Sequence, residues 1–214
     1  MGSNCKAVIF DFDYTLADSS RAVIECANNG LQGLGLPLAS PDAICRTIGL
    51  SLPETLVRLA GEKQRPLADE FRRFWRQRSD QIMVDWTVLL PGVREAVRSL
   101  RENGFQTGIV STKYRSRIEA VLSREKLSDA FEVIVGGEDV SAHKPDPQGL
   151  LRAMDALGAS PEKTLYVGDS VTDARTAERA NVSFAAVLSG VTRREEFNGF
   201  AVHRVLENLG ELSF

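Results

Sequence analysis

Residues 6–16 read KAVIFDFDYTL, and this stretch decides the fold. Four apolar residues in a row, from Ala7 to Phe10, show no polar alternation. That pattern suits a strand buried on both faces, as in a parallel sheet covered by helices. Similar runs follow at 106–111 (QTGIVS), 164–167 (TLYV) and 182–188 (VSFAAVL), with 131–135 (FEVIV) as a fifth candidate. Between them lie helical patterns at 93–103, 116–126, 147–157 and 171–180. Gly104 and Gly158 stand where a helix C-terminus takes a left-handed residue. Strands alternating with helices predict an α/β chain with a doubly wound, Rossmann-like parallel sheet.

One segment departs from this alternation. Residues 17–86 carry only helical periodicity, at 20–33, 41–47, 52–61 and 67–83, before the turn signal Leu90-Pro91-Gly92. The expected organisation is therefore an α/β core of residues 1–16 and 87–214 holding the catalytic site, with a small helical cap, 17–86, inserted after the first strand. The cap contains Arg72, Arg73, Arg76 and Arg78 among Phe71, Phe74 and Trp75. With Asp69, Glu70 and Asp80 flanking them, these read as the solvated and buried faces of one helix rather than a nucleic-acid surface.

Composition supports a globular chain with a small-molecule partner. Of 214 residues, 43% are hydrophobic and 26% charged, and the net charge is −3, so no basic field invites nucleic acid or an anionic membrane. No apolar run approaches the roughly 20 residues that span a bilayer. Cys5, Cys26 and Cys45 lack metal or redox spacing and read as reduced thiols. The N-terminus shows no charged-then-apolar leader, and Lys6 stands where a myristoylation signal needs Ser or Thr. The expected address is the cytoplasm, as a monomer or homodimer.

Four pieces carry chemistry. Asp11 and Asp13 follow the first strand two residues apart, so both can project to one side of an extended chain. In open α/β sheets ligands bind beyond the carboxyl ends of strands. Two acids there would repel unless a cation compensated, and a hard ion such as Mg²⁺ suits carboxylates. Ser111-Thr112-Lys113 closes a second strand, offering hydroxyls and N–H groups to phosphate oxygens, or equally a helix cap. Lys144 precedes Pro145, either as a phosphate-binding point charge or as a surface lysine. Asp169 follows a third strand, with Asp173 four residues on, at the site or as a helix N-terminal acid.

The ordered set resembles the haloacid dehalogenase superfamily, in particular its phosphoglycolate-phosphatase-like branch. The matching stretches are DFDYTLADS, LLPGVREAVRSL, GIVSTK, VGGEDVSAHKPDP, YVGDSVTD and the GVTRREEF segment. The resemblance implies a phosphatase acting on a small phosphate monoester such as phosphoglycolate, pyrophosphate, a nucleotide or a sugar phosphate. It implies Asp11 as nucleophile, forming an aspartyl-phosphate, and Asp13 as acid and base with a raised pKa. Ser111, Thr112 and Lys144 would hold the phosphoryl group. Magnesium would be bound by Asp11, the Asp13 main-chain carbonyl and Asp169, with Asp173 behind them. The family usually has Gly where Tyr14 stands, and a ring there either packs away or narrows the substrate entrance. Two alternatives remain. A phosphosugar mutase typically has an acid at the place of Gly168, and a retired binding domain would have lost a catalytic residue.

Overall fold

A computed structural model of the chain describes residues 5–212. The first residues of the myristoylation signal considered above, Met1 to Asn4, lie outside that range. The chain forms two compact units, one reaching Ala17 and resuming at Leu89, the other Asp18–Val88.

The first unit is built on β1 (Ala7–Phe10), β4 (Gln106–Val110), β5 (Val133–Val135), β6 (Thr164–Gly168), β7 (Ser183–Val187) and β8 (Val202–Leu206). They form one sheet in the order β5-β4-β1-β6-β7-β8. All its pairings are parallel. This is the doubly wound order, in which successive strands run outward on one side of β1 and then on the other. Every residue of β1 and β6 is buried, as unalternating apolar strands require. Between the strands lie α5 (Val93–Glu102), α6 (Arg115–Arg124), α7 (Gln148–Leu157) and α8 (Val171–Ala180). Ala7, Ile9, Tyr166 and Phe184 form one core with Leu150, Met154 and Leu157 of α7 and Ala174 and Ala177 of α8. Phe10 points to the opposite face and meets Phe131 edge-on at 6.3 Å.

The strand β8 (VHRVL) was not foreseen from the sequence. It lies at the sheet edge with His203 exposed and Val202, Arg204 and Val205 only half-buried, so its apolar signal is diluted. Also unforeseen are β2 (Ala17–Asp18) and β3 (Val88–Leu89), two residues each, which pair with one another where the chain passes from one unit to the other.

The second unit contains α1 (Ser20–Gly33), α2 (Pro41–Cys45), α3 (Leu52–Ala60) and α4 (Ala68–Trp86). Ser40 and Ser51 cap α2 and α3, each accepting a backbone N–H, with proline in the first turn. Leu31, Leu56 and Phe71 form part of its interior. The arginines of α4 are tied to acids: Arg72 to Asp69, Arg73 to Glu70 and Arg78 to Glu25.

Candidate active site

Asp11 and Asp169 sit where strands end. Asp11 follows β1, and its N–H donates to the Val167 carbonyl at 2.9 Å, carrying the ladder one step beyond β1. Asp169 follows β6, the strand beside β1. Asp173 sits in the first turn of α8, in a reciprocal cap with Ser170. Ser170 Oγ donates to Asp173 Oδ2 at 2.5 Å and accepts the Asp173 N–H at 3.2 Å. The two roles weighed for Asp173 are thus compatible: it caps the helix and faces the site.

Asp11, Asp169 and Asp173 are all buried, and one carboxylate oxygen of each lies within 4.8 Å of the others. A single ammonium stands among them. Lys144 Nζ lies 2.8 Å from Asp11 Oδ1 and 2.6 Å from Asp173 Oδ1. It also reaches the Tyr166 hydroxyl at 3.3 Å, and that hydroxyl donates to Asp173 Oδ1 at 2.9 Å. Lys144 is thus the one partner that Asp11 Oδ1 shows among the described residues.

The electrostatics follow from that crowding. Burial pushes the Asp11 carboxyl up to about 7; Lys144 pulls it down and Asp173 pushes it up. Burial, then Asp173 and Asp11, holds the Asp169 carboxyl well above the usual carboxylate range. Burial alone would lower the Lys144 ammonium, but Asp11 and Asp173 outweigh it and hold it well above its ordinary value. Burial raises the Tyr166 phenol and Asp173 adds to this, so it remains a proton donor at neutral pH. Were all three carboxylates ionised, they would exceed the one ammonium by two negative charges, the charge of one divalent cation. All the donors are oxygens, as Mg²⁺ prefers. The clustered oxygens of Asp11, Asp169 and Asp173 are where such an ion would bind.

The remaining candidates form a second group. The loop 12–17 folds back on itself, with the N–H groups of Leu16 and Ala17 donating to Phe12 O at 2.9 and 3.0 Å. Asp13 in this loop is buried, and Lys113 Nζ lies 3.1 Å from its Oδ1. Ser111 ends β4; its N–H is committed to Val135 O, and its Oγ accepts the Lys113 N–H at 3.2 Å. The cradle of free N–H groups foreseen at 111–113 therefore narrows to Thr112, whose N–H has no partner among the described residues. Tyr14 has φ +60, a left-handed backbone that glycine adopts readily and tyrosine does not. Its carbonyl accepts the Ser189 hydroxyl at 2.5 Å.

Sequence reasoning missed Lys113, Tyr166 and the loop at Ser189 and Gly190. Lys113 was in plain sight beside Ser111 and Thr112, but a lysine after a strand has no distinctive spacing. Tyr166 was hidden as an apolar strand residue. Gly190 gives no pattern signal, yet a Cβ built there would meet Asp169 Oδ2 at 2.0 Å, so only glycine lets that loop pass so close. Gly168 is constrained in the same way: its Cβ would come within 2.5 Å of the Asp173 Cβ.

Residues 8–187 match the family model described as haloacid dehalogenase-like hydrolase. Phosphoglycolate phosphatase of Aquifex aeolicus is 30% identical over 88% of this chain and 87% of its own length. Pyrophosphatase PpaX of Bacillus cereus is 29% identical over 97% of this chain and 94% of its own. Among solved structures, a haloacid dehalogenase-like protein from Bacteroides fragilis is 42% identical, with a TM-score of 0.94 over 98% of this chain and 100% of that one.

Proposed function

The chain belongs to the haloacid dehalogenase-like hydrolase family, and from that premise we propose that it is a magnesium-dependent phosphatase of small phosphoesters working through an aspartyl-phosphate on Asp11. The observation that carries this reading is the buried carboxylate of Asp11, ion-paired through Oδ1 with Lys144 and clustered with those of Asp169 and Asp173. A carboxylate held beside a cation at a strand end is placed to act as a nucleophile on a phosphoryl group that the same cation binds. Magnesium, held by Asp11, Asp169 and the Asp13 main-chain carbonyl with Asp173 behind them, would neutralise charge on the phosphoryl oxygens and keep Asp11 ionised.

The protein's own groups then divide the work. Lys144, the Ser111 hydroxyl and the Thr112 hydroxyl and N–H hold the phosphoryl oxygens. Asp11 attacks phosphorus as the bond to the leaving oxygen breaks, and Asp13 gives that oxygen a proton. Water next attacks the phosphorus on Asp11, losing its proton to Asp13 and freeing Asp11 and phosphate. Catalysis of this kind rests mainly on positioning and charge stabilisation. Tyr166 and Ser170 keep Asp173 aimed at Lys144 and so hold Lys144 over Asp11.

The competing readings are less well supported. A mutase-type acid at 168 would drive its side chain into Asp173. A retired domain would have no reason to keep Asp11, Asp13, Ser111, Lys144 and Asp169 intact. The unit Asp18–Val88 is proposed as the cap that screens the reaction from water. Three free cysteines agree with a cytoplasmic address. No helix among the described residues is long and apolar enough to cross a membrane.

A phosphate-release screen with and without metal tests the proposal. Activity on an aryl phosphate should vanish with excess chelator and return with Mg²⁺. Ca²⁺ should support little turnover, because its looser coordination disturbs in-line geometry. Full activity in chelator would remove the metal from the mechanism.

A further inference from the structure

Lys113 is a buried cation to which the steps above give no task. Its side chain is 7% exposed and its ammonium lies 3.1 Å from Asp13 Oδ1. To exchange a proton with the leaving oxygen, Asp13 must come within about 3 Å of it. A cation touching the same carboxylate therefore stands beside the leaving group. Lys144 stands instead beside Asp11, on the phosphoryl side.

We propose that Lys113 selects phosphoesters and phosphoanhydrides whose leaving group bears its own negative charge, a carboxylate or phosphate one or two bonds from the bridging oxygen. Such an anion shares the ammonium with Asp13 and brings the bridging oxygen against the carboxylate that protonates it. Lysine suits this, since its three donors on a flexible stem can hold two acceptors at once. A neutral alcohol offers the ammonium nothing and gains no such alignment. Two relatives fit the same chemistry by name. The leaving group of phosphoglycolate carries a carboxylate, and that of pyrophosphate is itself a phosphate. The inference rests on the phosphatase reading and narrows its substrate class.

The test compares 2-phosphoglycolate with ethylene glycol monophosphate, which differ by a carboxylate against a hydroxymethyl group on a two-carbon leaving group. Phosphate release is followed for the full-length wild type, Lys113→Met and Lys113→Arg with Mg²⁺. Wild type should prefer the charged ester by at least about tenfold in kcat/KM. Lys113→Met should collapse that ratio toward one, mainly through KM for the charged ester, and Lys113→Arg should keep most of it. A merely structural role would lower both esters together, and an unchanged ratio in Lys113→Met overturns the proposal. Should Lys113→Met not fold, the wild-type ratio decides alone: equal use of the two esters, and of pyrophosphate against methyl phosphate, overturns it. If wild type hydrolyses neither these nor an aryl phosphate, the phosphatase reading falls and the selection falls with it. Hydrolysis of charged and neutral esters alike sinks only the selection.

Discussion

Two aspartates two residues apart are given different partners, and the proposal gives them different work. Asp11 faces Lys144, and Asp13 faces Lys113. Asp11→Asn should abolish turnover, whereas Asp13→Asn should slow it by roughly two to four orders of magnitude, the usual worth of acid–base help. Steady-state assays on a poor leaving group check this, and equal losses would merge the two roles. Tyr14 is the residue where a family habit gains a physical reason. The backbone at Tyr14 is left-handed, φ +60, which favours glycine by conformation as well as by size. Replacing tyrosine by alanine or by glycine removes the ring equally, but only glycine accepts this φ without strain. Tyr14→Gly should therefore be more stable than Tyr14→Ala by about 1 kcal/mol, reversing the usual order. Urea denaturation of the two variants measures it, and a more stable alanine variant would mean that the backbone there is not left-handed.

At the scale of elements, the interior strands were legible because burial on both faces writes an unbroken apolar run, as in Ala7–Phe10 and Thr164–Val167. The helix Val171–Ala180 was legible to the residue, because Ser170 and Asp173 form its cap and Asn181 ends it in a left-handed conformation. The edge strand Val202–Leu206 was not, since one side of it faces solvent and polar residues interrupt it. The site acids were legible because strand ends announce them. Of their partners Lys144 was named in advance, whereas Lys113 and Tyr166 were not: Lys113 meets Asp13 from a distant strand end, and Tyr166 is hidden within an apolar strand. Glycines within helices are a further silent feature. Gly33 lies on α1 where a Cβ would come within 2.5 Å of the Phe74 ring on α4. Gly33→Val should cost about 1–3 kcal/mol through overpacking. Thermal unfolding followed by circular dichroism tests this, and an unchanged transition would mean the two helices do not approach so closely.

For the molecule as a whole, the site is a place where folding opposes charge. Asp11 titrates near 3.9 in an unfolded chain and is pushed up to about 7 in the folded one. Below both values each state holds the proton, so the shift contributes nothing. Between them the folded state keeps a proton that the unfolded state has lost, so stability falls as pH rises from about 4 to about 7. In chelator, wild type should therefore lose melting temperature across that window relative to Asp11→Asn, which cannot titrate. Mg²⁺ at neutral pH should restore it by binding only the folded state. Parallel profiles for the two proteins, unmoved by Mg²⁺, would count against the charge-crowded site. The chemistry itself is tested most directly by trapping. An aryl leaving group needs little protonation, so Asp13→Asn should still load Asp11 while failing to activate the water that unloads it. Rapid mixing of Asp13→Asn with a labelled aryl phosphate and Mg²⁺ should release about one aryl alcohol per enzyme in a burst. Acid quench and peptide mapping should then find the label on Asp11. A burst with the label on another residue, or slow turnover with neither burst nor label, would contradict an aspartyl-phosphate on Asp11.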